Sequence, residues 1–242
     1  MGGCGGVKIY AIGSAYGSIP EELHMQKRHP FNPNLHLHHD RLWSGLPVLS
    51  QKGPLIVESL QSIDETMWAA THDHPRTLMI RFDPRLPAIG EFLSDRFMSR
   101  FLASLKAQIE ADLKRKARRG GRVHPCHLRY VWAREQDSSP RPHFHCVLFI
   151  NRDAYHCLGD FRADDGNMAG RIKKAIASAL GIPVEYAAGL VHFPDGGVHV
   201  LDVNATDFHY RRAVAFECAS YLAKAATKYY GNRARHFGYS KG

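Results

Sequence analysis

The sequence predicts an α+β fold in which helices pack on an antiparallel sheet. Strand-like segments alternate with helical ones in the order strand, helix, hairpin, helix, hairpin, helix. The paired strand-like segments are separated by short polar stretches, which are typical of antiparallel hairpins rather than parallel crossovers. The 242 residues, 44% hydrophobic and 23% charged, suffice for one soluble domain with a sizeable core. We therefore predict a main domain over residues 76–242 and an N-terminal extension over residues 1–75.

The N-terminal extension is predicted to be partly irregular with one helix, because residues 1–75 are rich in Gly, Pro, Asn and His. Residues 54–72 contain apolar side chains at helical spacing and are expected to pack on the main domain. The segment LHLHHDRLW contains His36, His38 and His39, but no apolar strand follows it. We interpret these three histidines as loop residues rather than metal ligands.

The first two elements of the main domain follow from their apolar patterns. RTLMIRF at 76–82 is a short apolar strand, ended by the turn-prone DPRLP. Residues 91–119 carry apolar side chains three to five positions apart, which predicts an amphipathic helix. Its last turns are basic, as the helix dipole favours, and Gly-Gly at 120–121 ends it.

The later elements alternate in the same way. HLRYVWARE at 127–135 and HFHCVLFIN at 143–151, joined by the polar QDSSPRP, predict a hairpin. AGRIKKAIASALGI at 169–182 predicts a helix. A second hairpin is expected at 190–203 around Asp-Gly-Gly, and a terminal helix at 208–231.

The charge balance favours a polyanionic partner. The net charge is +9, with 32 Lys and Arg against 23 Asp and Glu, and the segment KRKARRGGR is entirely basic or neutral. Basic clusters bind nucleic acid by neutralising phosphates, although a solvated helix end is the alternative interpretation. The residues predicted to contact a nucleic-acid backbone are Lys114, Arg115, Lys116, Arg118, Arg119, Lys228, Arg233 and Arg235.

Several classes of protein are disfavoured. No apolar run approaches the ~18 residues that a membrane span needs, so we expect no membrane partner. The five cysteines are scattered, odd in number and without a C-x-x-C pair, which disfavours a disulfide framework and a zinc ribbon. The first residues lack the pattern of a secretory signal, and we expect a cytoplasmic protein.

A histidine pair begins the second strand of the first hairpin. His143 and His145 project from the same face of the strand, while Phe144 between them projects from the other. Two imidazoles on one face can chelate one ion, and Glu135 at the end of the partner strand can reach that face. Such a set leaves positions open for water and substrate. The alternative interpretation makes the histidines solvent-facing residues, and Asp202 is a second candidate for the acidic ligand.

A tyrosine and two lysines share one face of the predicted terminal helix. Lys224 follows Tyr221 by three residues, and Lys228 extends the same face. An ammonium group beside a phenol favours the nucleophilic phenolate. Tyr229 and Tyr230 are competing nucleophiles, ranked lower because neither has a lysine three residues later. A surface tyrosine beside a solvated lysine is the alternative interpretation of this pattern alone.

Together these motifs resemble a known superfamily. A His-hydrophobic-His strand followed by Tyr-x-x-Lys resembles the HUH endonucleases that start rolling-circle replication. More narrowly, TLMIRFDPRLP, YVWAREQDSSPRPHFHCVLFIN and SYLAKAATKYYGNRARHFGYSKG resemble inovirus-type (filamentous-phage) replication initiators and the prophage YagK/YfjJ C-terminal domain family. The resemblance covers about residues 76–242 and implies a ferredoxin/RRM-like antiparallel sheet.

The resemblance implies nicking and joining of single-stranded DNA through a 5′-phosphotyrosine, which initiates rolling-circle replication of a phage or prophage. Tyr221 would attack the scissile phosphate, and Lys224 would position that phosphate or stabilise its charge. His143, His145 and Glu135 would hold Mg²⁺ or Mn²⁺. Single-stranded or origin DNA is the implied partner. The chain contains no G-x-x-x-x-G-K-[ST] motif, so we expect a host helicase and polymerase to take part.

Three other functions stay open from the sequence. A transposase or relaxase of the same superfamily would use the same residues on a different DNA target. A catalytically silent DNA-binding regulator of prophage origin would keep the basic surface without cleaving DNA. A basic structural zinc protein would use the N-terminal histidines instead.

Overall fold

A computed structural model describes residues 27–87, 91–135, 143–160, 166–226, 228 and 235–241. Within these residues the chain forms short and long strands interspersed with four α helices. The elements are β1 (Arg28–His29), β2 (Asn32–His38), β3 (Leu42–Trp43), β4 (Leu46–Pro47), β5 (Leu55–Ile56), α1 (Val57–Asp73), β6 (Arg76–Pro84), α2 (Glu91–Arg118), β7 (Arg129–Glu135), β8 (His143–Asn151), α3 (Met168–Leu180), β9 (Val191–His192), β10 (Val198–Asp202), α4 (Phe208–Ser220) and β11 (Phe237–Tyr239).

The main sheet is antiparallel and has the strand order β10-β6-β8-β7-β11, with β9 pairing the far end of β6. Along the chain, β6, α2, β7, β8, α3 and β10 form a β-α-β-β-α-β unit. Its four strands lie in the order fourth, first, third, second, which is the ferredoxin-like arrangement. The predicted α+β class is confirmed.

Helices cover both faces of this sheet, so its central strands are buried on both sides. On one face, α2 and α3 pack on residues such as Phe82 and Phe144. On the other, α1 and α4 pack on Met79 and Val147. Because strand residues alternate between faces, the odd-numbered residues of β8 lie on the α1 and α4 side. His143 and His145 therefore face the layer that contains α4.

Residues 27–75, the described part of the predicted N-terminal extension, contain more regular secondary structure than the sequence predicts. β1, β2 and β5 form a small three-stranded sheet, and α1 packs on the main sheet as expected. The prediction that the three histidines lie in a loop is wrong for His36 and His38, which lie in β2. Burial of Leu37 against Ile56 stabilises this strand, a pairing that the local sequence does not reveal.

The second predicted hairpin is also wrong. β9 and β10 do not pair with each other but both pair antiparallel with β6: His192 lies opposite Asp83, and Val198 lies opposite Ile80. They therefore run in the same direction as successive parts of one interrupted edge strand. The nine-residue β6 is long enough to pair with both.

The predicted terminal helix ends much earlier than Gly231. α4 stops at Ser220, and Tyr221–Ala223 form a 3-10 turn. The physical reason is a competing tertiary pairing: Lys224 forms a β bridge with Leu55, and the Ala225 amide donates to the Pro54 carbonyl at 3.0 Å. The edge strand β11 was not predicted.

The cysteines and the helices of the described residues bear on the predicted absence of a disulfide framework and of a membrane span. The four cysteines among them are free thiols, so no disulfide forms there. None of the helices in the described ranges is both long and apolar enough to cross a bilayer.

Candidate metal and tyrosine site

The candidate site lies at the end of the main sheet where β7 stops and β8 begins. Glu135, the last residue of β7, is paired directly opposite His143. Ligand atoms of Glu135, His143 and His145 all lie within 4.8 Å of one another. Glu135 Oε2 is 3.2 Å from His145 Nε2 and 3.7 Å from His143 Nε2. The structure therefore brings together the three residues proposed as ligands from the sequence.

A fourth group, which the sequence analysis missed, holds the other side of His145. Asp83 Oδ1 on β6 lies 2.8 Å from His145 Nδ1. β6 pairs with β8 so that Phe82 is opposite Cys146, which places Asp83 beside His145. The signal was present in RTLMIRFDP, because Arg81 and Asp83 are polar residues alternating with buried apolar ones.

Asp202, the alternative acidic ligand, is not near these residues. It is paired opposite Arg76 at the start of β6, whereas Asp83 lies near the end of that strand. An ion pair with Arg76, at 3.6 Å, holds it there. The structure favours Glu135 over Asp202 as the carboxylate beside the two histidines.

Electrostatics in the site stabilise charge on its most buried members. Burial raises the pKa of Glu135, but the imidazoles of His143 and His145 and the charge of Lys224 outweigh it and hold the pKa well below its usual range. Burial lowers the pKa of His145, but the carboxylates of Asp83 and Glu135 outweigh it and raise the pKa. Glu135 is therefore an anion at neutral pH and an attractive site for a cation.

Tyr221 and Lys224 adjoin this cluster from the 3-10 turn after α4. The ring centroids of Tyr221 and His145 are 4.8 Å apart. Lys224 Nζ donates a hydrogen bond to the Tyr221 hydroxyl at 3.1 Å and lies 3.2 Å from Glu135 Oε2. Burial lowers the pKa of Lys224, but Glu135 and Tyr221 outweigh it and raise the pKa. The expected helix face is absent, yet the tyrosine and lysine still meet.

A second cation, also missed from the sequence, contacts the tyrosine ring. The Arg81 guanidinium carbon lies 4.2 Å from the centroid of the Tyr221 ring. Arg81 shares the strand face of Asp83, whose Oδ1 lies 3.7 Å from Arg81 Nε. Only the pairing of β6 with β8 and the packing of α4 on the sheet bring this arginine to Tyr221.

Lys228 does not extend a DNA-contacting face, so this part of the prediction is wrong. It is fully buried, and its Nζ donates to the carbonyl oxygens of Leu222 at 2.7 Å and Lys224 at 2.6 Å. Burial and the neighbouring charge of Lys224 lower its pKa to about 7, with Glu135 opposing them. Lys228 stabilises the turn that carries Tyr221 and Lys224.

The basic end of α2 lies far from this site. Lys116 Nζ is 3.4 Å from the carbonyl oxygen of Ala154, three residues beyond Asn151, the last residue of β8. His143 is the first residue of that strand. The nine residues of β8 separate its ends by about 27 Å. Of the basic residues predicted here, Lys114, Arg118 and Arg119 are exposed, and Arg115 and Lys116 pair with Asp112.

Of the remaining residues predicted to contact DNA or to act as nucleophiles, only Arg235 lies among the described residues. Arg235 is exposed, and its guanidinium carbon lies 5.7 Å from the ring of Trp132. Because the Arg134 amide donates to the His236 carbonyl at 2.8 Å, Arg235 lies at the same end of the sheet as Glu135. Arg233, Tyr229 and Tyr230 lie outside the described residues.

The residues of the cluster fit a divalent metal ion. Two imidazole nitrogens and one carboxylate oxygen form a set that binds such ions with positions left open. Glu135 Oε1 is buried without a hydrogen-bond partner in the part of the chain that the structure describes, and the ring nitrogens of His145 are close to carboxylates without hydrogen-bond alignment. A mixed nitrogen and oxygen set suits Mn²⁺ better than Mg²⁺, which prefers oxygen ligands.

Fold and site thus define an α+β protein with a ferredoxin-like core and a His-Glu-His cluster beside a tyrosine and a lysine. The chain belongs to the YagK/YfjJ C-terminal domain family, which it matches over residues 38–240. That match begins inside the region predicted as an N-terminal extension and includes α1.

Two relatives from Escherichia coli K12 align with this chain over most of their own length. YagK is 36% identical over 198 residues, which are 78% of this chain and 95% of YagK. YfjJ is 31% identical over 193 residues, which are 75% of this chain and 91% of YfjJ. Both are described only as uncharacterized proteins. No solved structure matches the chain.

Proposed function

We propose that this protein is an HUH-type endonuclease that nicks and joins single-stranded DNA through a 5′-phosphotyrosine and initiates rolling-circle replication of a phage or prophage. One observation carries the proposal: Lys224 Nζ lies 3.1 Å from the Tyr221 hydroxyl and 3.2 Å from Glu135 Oε2. A phenol is thereby placed beside a cluster with the composition of a metal site. Such proximity is what attack on an ion-bound phosphate requires.

The proposed step exchanges one phosphodiester for another. The Tyr221 oxygen forms a bond to phosphorus, and the bond from phosphorus to the 3′ oxygen breaks. The phenol loses its proton, and the departing 3′ oxygen gains one, so the products are a 5′-phosphotyrosine and a free 3′-OH. Because one phosphate ester replaces another, the reverse attack by a 3′-OH rejoins the strand.

Each side chain has a distinct task in this step. Lys224 stabilises negative charge on the attacking phenolate oxygen, which it already contacts at 3.1 Å. Glu135, His143 and His145 would hold Mg²⁺ or Mn²⁺, which neutralises charge on the scissile phosphate. His143, the most exposed of the three at 33%, marks the side from which the DNA enters.

The exposed basic residues of α2 would contact the same DNA at a distance. About 27 Å separates the two ends of β8, which corresponds to about eight base pairs of duplex at ~3.4 Å each. These lysines and arginines would hold DNA flanking the nick rather than the scissile phosphate. Unwinding and synthesis would fall to a host helicase and polymerase in the cytoplasm.

The test is covalent capture of the intermediate. The purified full chain is incubated with Mn²⁺ and a labelled pool of single-stranded oligonucleotides containing the native origin strand, and the SDS-stable adduct is mapped by mass spectrometry. The expected adduct is on Tyr221 and is lost with EDTA, in Tyr221→Phe and in His143→Ala. The matched control is Tyr186→Phe, which changes a 67% exposed tyrosine in a separate turn and should leave the adduct intact.

Other outcomes point to other functions. An adduct on Tyr229 or Tyr230 would keep the nicking reaction and replace the nucleophile. Tight DNA binding that is unchanged by EDTA, with no adduct on any oligonucleotide, would instead identify a catalytically silent DNA-binding regulator. Cleavage confined to transposon ends or a transfer origin would identify a transposase or relaxase of the same superfamily.

A further inference from the structure

Arg81 and Tyr221 form a contact that the proposed roles of Lys224 and the metal ligands leave unexplained. Arg81 Cζ lies 4.2 Å from the Tyr221 ring centroid, and Lys224 Nζ lies 4.4 Å from the same centroid. The ring of the proposed nucleophile therefore contacts two cations. One of them, Lys224, also hydrogen-bonds its hydroxyl. The second cation needs a separate explanation, because its burial carries a desolvation cost.

The hydrogen-bonding capacity of the buried Arg81 guanidinium is only partly used. Its side chain is only 12% exposed, and Nε is buried without a hydrogen-bond partner among the described residues. Asp83 Oδ1 is 3.7 Å from Nε, beyond hydrogen-bonding distance. Arg81 does hydrogen-bond the Cys218 thiol, but sulfur is a weak acceptor, and this thiol stays neutral because burial raises its pKa. A buried guanidinium normally engages an anion through two parallel N–H donors, so this one is prepared for an anionic group from outside the chain.

The guanidinium of Arg81 lies where the scissile phosphate would bind in the proposed reaction. A phosphate attacked by the Tyr221 oxygen must lie within reach of both that oxygen and the Glu135–His143–His145 cluster. Arg81 lies against the ring of Tyr221, and its neighbour two residues along β6, Asp83, contacts His145 at 2.8 Å. An arginine there can hold a non-bridging phosphate oxygen and the nucleophile ring at once.

We propose that Arg81 is a catalytic residue whose guanidinium binds a charged non-bridging oxygen of the scissile phosphodiester. This assignment rests on the proposed function. It adds a phosphate-binding residue that lies outside the sequence motifs. Arg81 stays protonated throughout: no proton or electron passes through it, and the bonds that form and break are those of the tyrosine exchange. Its contribution is electrostatic stabilisation of the charge on the phosphate oxygens during attack.

The experiment measures single-turnover adduct formation on an oligonucleotide that the wild-type protein nicks. The scissile linkage is either a normal phosphodiester or a methylphosphonate, in which a methyl group replaces one charged oxygen. Arg81→Met is expected to lower the rate on the normal linkage by about 100- to 1,000-fold. DNA affinity should change by less than about threefold, since other contacts hold the strand. Arg81→Lys, which keeps the positive charge but loses the two parallel N–H donors of the guanidinium, should give an intermediate rate.

The methylphosphonate separates contact with the phosphate from a merely structural role. A methylphosphonate is neutral in either diastereomer. If Arg81 binds a charged oxygen, at least one diastereomer therefore lowers the wild-type rate much more than the Arg81→Met rate. Equal losses in both proteins for both diastereomers would overturn the proposal, and so would an Arg81→Met rate equal to that of the wild type. If Arg81→Met does not fold, the same comparison is made with Arg81→Lys.

A matched control variant lies on the same strand. Arg76 is at the opposite end of β6, half-exposed, and pairs with Asp153 and Asp202. Arg76→Met should nick both linkages as the wild type does. Failure of the proposed function is distinguishable, because then the wild-type protein itself forms no adduct.

Discussion

His145 is held between two carboxylates: Asp83 Oδ1 lies 2.8 Å from its Nδ1, and Glu135 Oε2 lies 3.2 Å from its Nε2. A carboxylate that accepts the proton of one ring nitrogen of a histidine fixes the tautomer in which the other nitrogen presents its lone pair to an ion. The 2.8 Å approach of Asp83 Oδ1 places it to orient His145 in this way, although Asp83 is not one of the three grouped ligands. This relationship joins β6 to a site otherwise built on β7 and β8.

We predict that Asp83→Asn lowers the affinity for Mn²⁺ by about 10- to 100-fold, the usual effect of removing a carboxylate that orients a ligating histidine. Isothermal titration calorimetry with Mn²⁺ on the apo protein measures it. Asp202→Asn is the control, because Asp202 lies opposite Arg76 at the other end of β6. Unchanged Mn²⁺ affinity in Asp83→Asn, or an equal loss in Asp202→Asn, would contradict the assigned role.

Lys224→Met should destabilise the apo protein because it leaves the buried Glu135 carboxylate without its ammonium partner at 3.2 Å. Breaking a buried ion pair costs about 3 kcal/mol of unfolding free energy. A bound cation replaces the lost charge, so Mn²⁺ should restore part of the stability. Urea unfolding in EDTA and in Mn²⁺ checks both expectations. Lys114→Met, at an exposed position of α2, is the control. A loss that is equal with and without Mn²⁺ would show that no ion approaches Glu135.

The buried Lys228 predicts a pH dependence of stability. Burial lowers its pKa to about 7 from the ordinary 10.5, so between these values the unfolded chain binds a proton that the folded chain does not. The contribution of Lys228 to the free energy of unfolding therefore rises with pH between these two pKa values, by up to about 1.4 kcal/mol per pH unit. Below pH 7 both states are protonated and its contribution is constant.

Lys228→Met removes this contribution. The unfolding free energy of the wild-type protein minus that of the variant should increase between pH 7.5 and pH 9.5, as measured by urea unfolding at several pH values. Lys114→Met should instead give a curve parallel to the wild type, because Lys114 is exposed. A Lys228→Met curve that is also parallel would mean that Lys228 stays charged in the folded protein.

The exposed end of α2 predicts a salt effect separate from catalysis. Replacing Lys114, Arg118 and Arg119 with alanine should reduce the slope of log affinity against log salt by about 2, because up to three phosphate contacts are lost. The rate of adduct formation at saturating DNA should not change. Lys116, on the same end of α2, contacts the chain just beyond the end of β8 that lies about 27 Å from His143. Fluorescence anisotropy across a salt series measures the slope. A control that removes Lys27, Arg28 and Arg41, all exposed, should keep the slope, and an equal loss there would indicate non-specific charge.

Much of the site was accessible from the sequence because its central part is local. A short polar linker between two apolar strands predicts a hairpin, and strand alternation then puts His143, His145 and Glu135 on one face. The structure shows this pairing, with Glu135 directly opposite His143. The meeting of Tyr221 with Lys224 was also expected, but the turn that produces it was not.

The sequence by itself determined the α+β class, the main helices and the β7–β8 hairpin, since these depend on periodicity and turns within a few residues. Tertiary structure alone decided that Arg81 and Asp83 join the site, that β9 and β10 share β6 as their partner, and that α4 ends at Ser220. It also buried Lys228 and placed the basic end of α2 away from the tyrosine. The physical reason is that these outcomes depend on which strand pairs with which, and on packing between segments far apart in sequence, for which local patterns carry no signal.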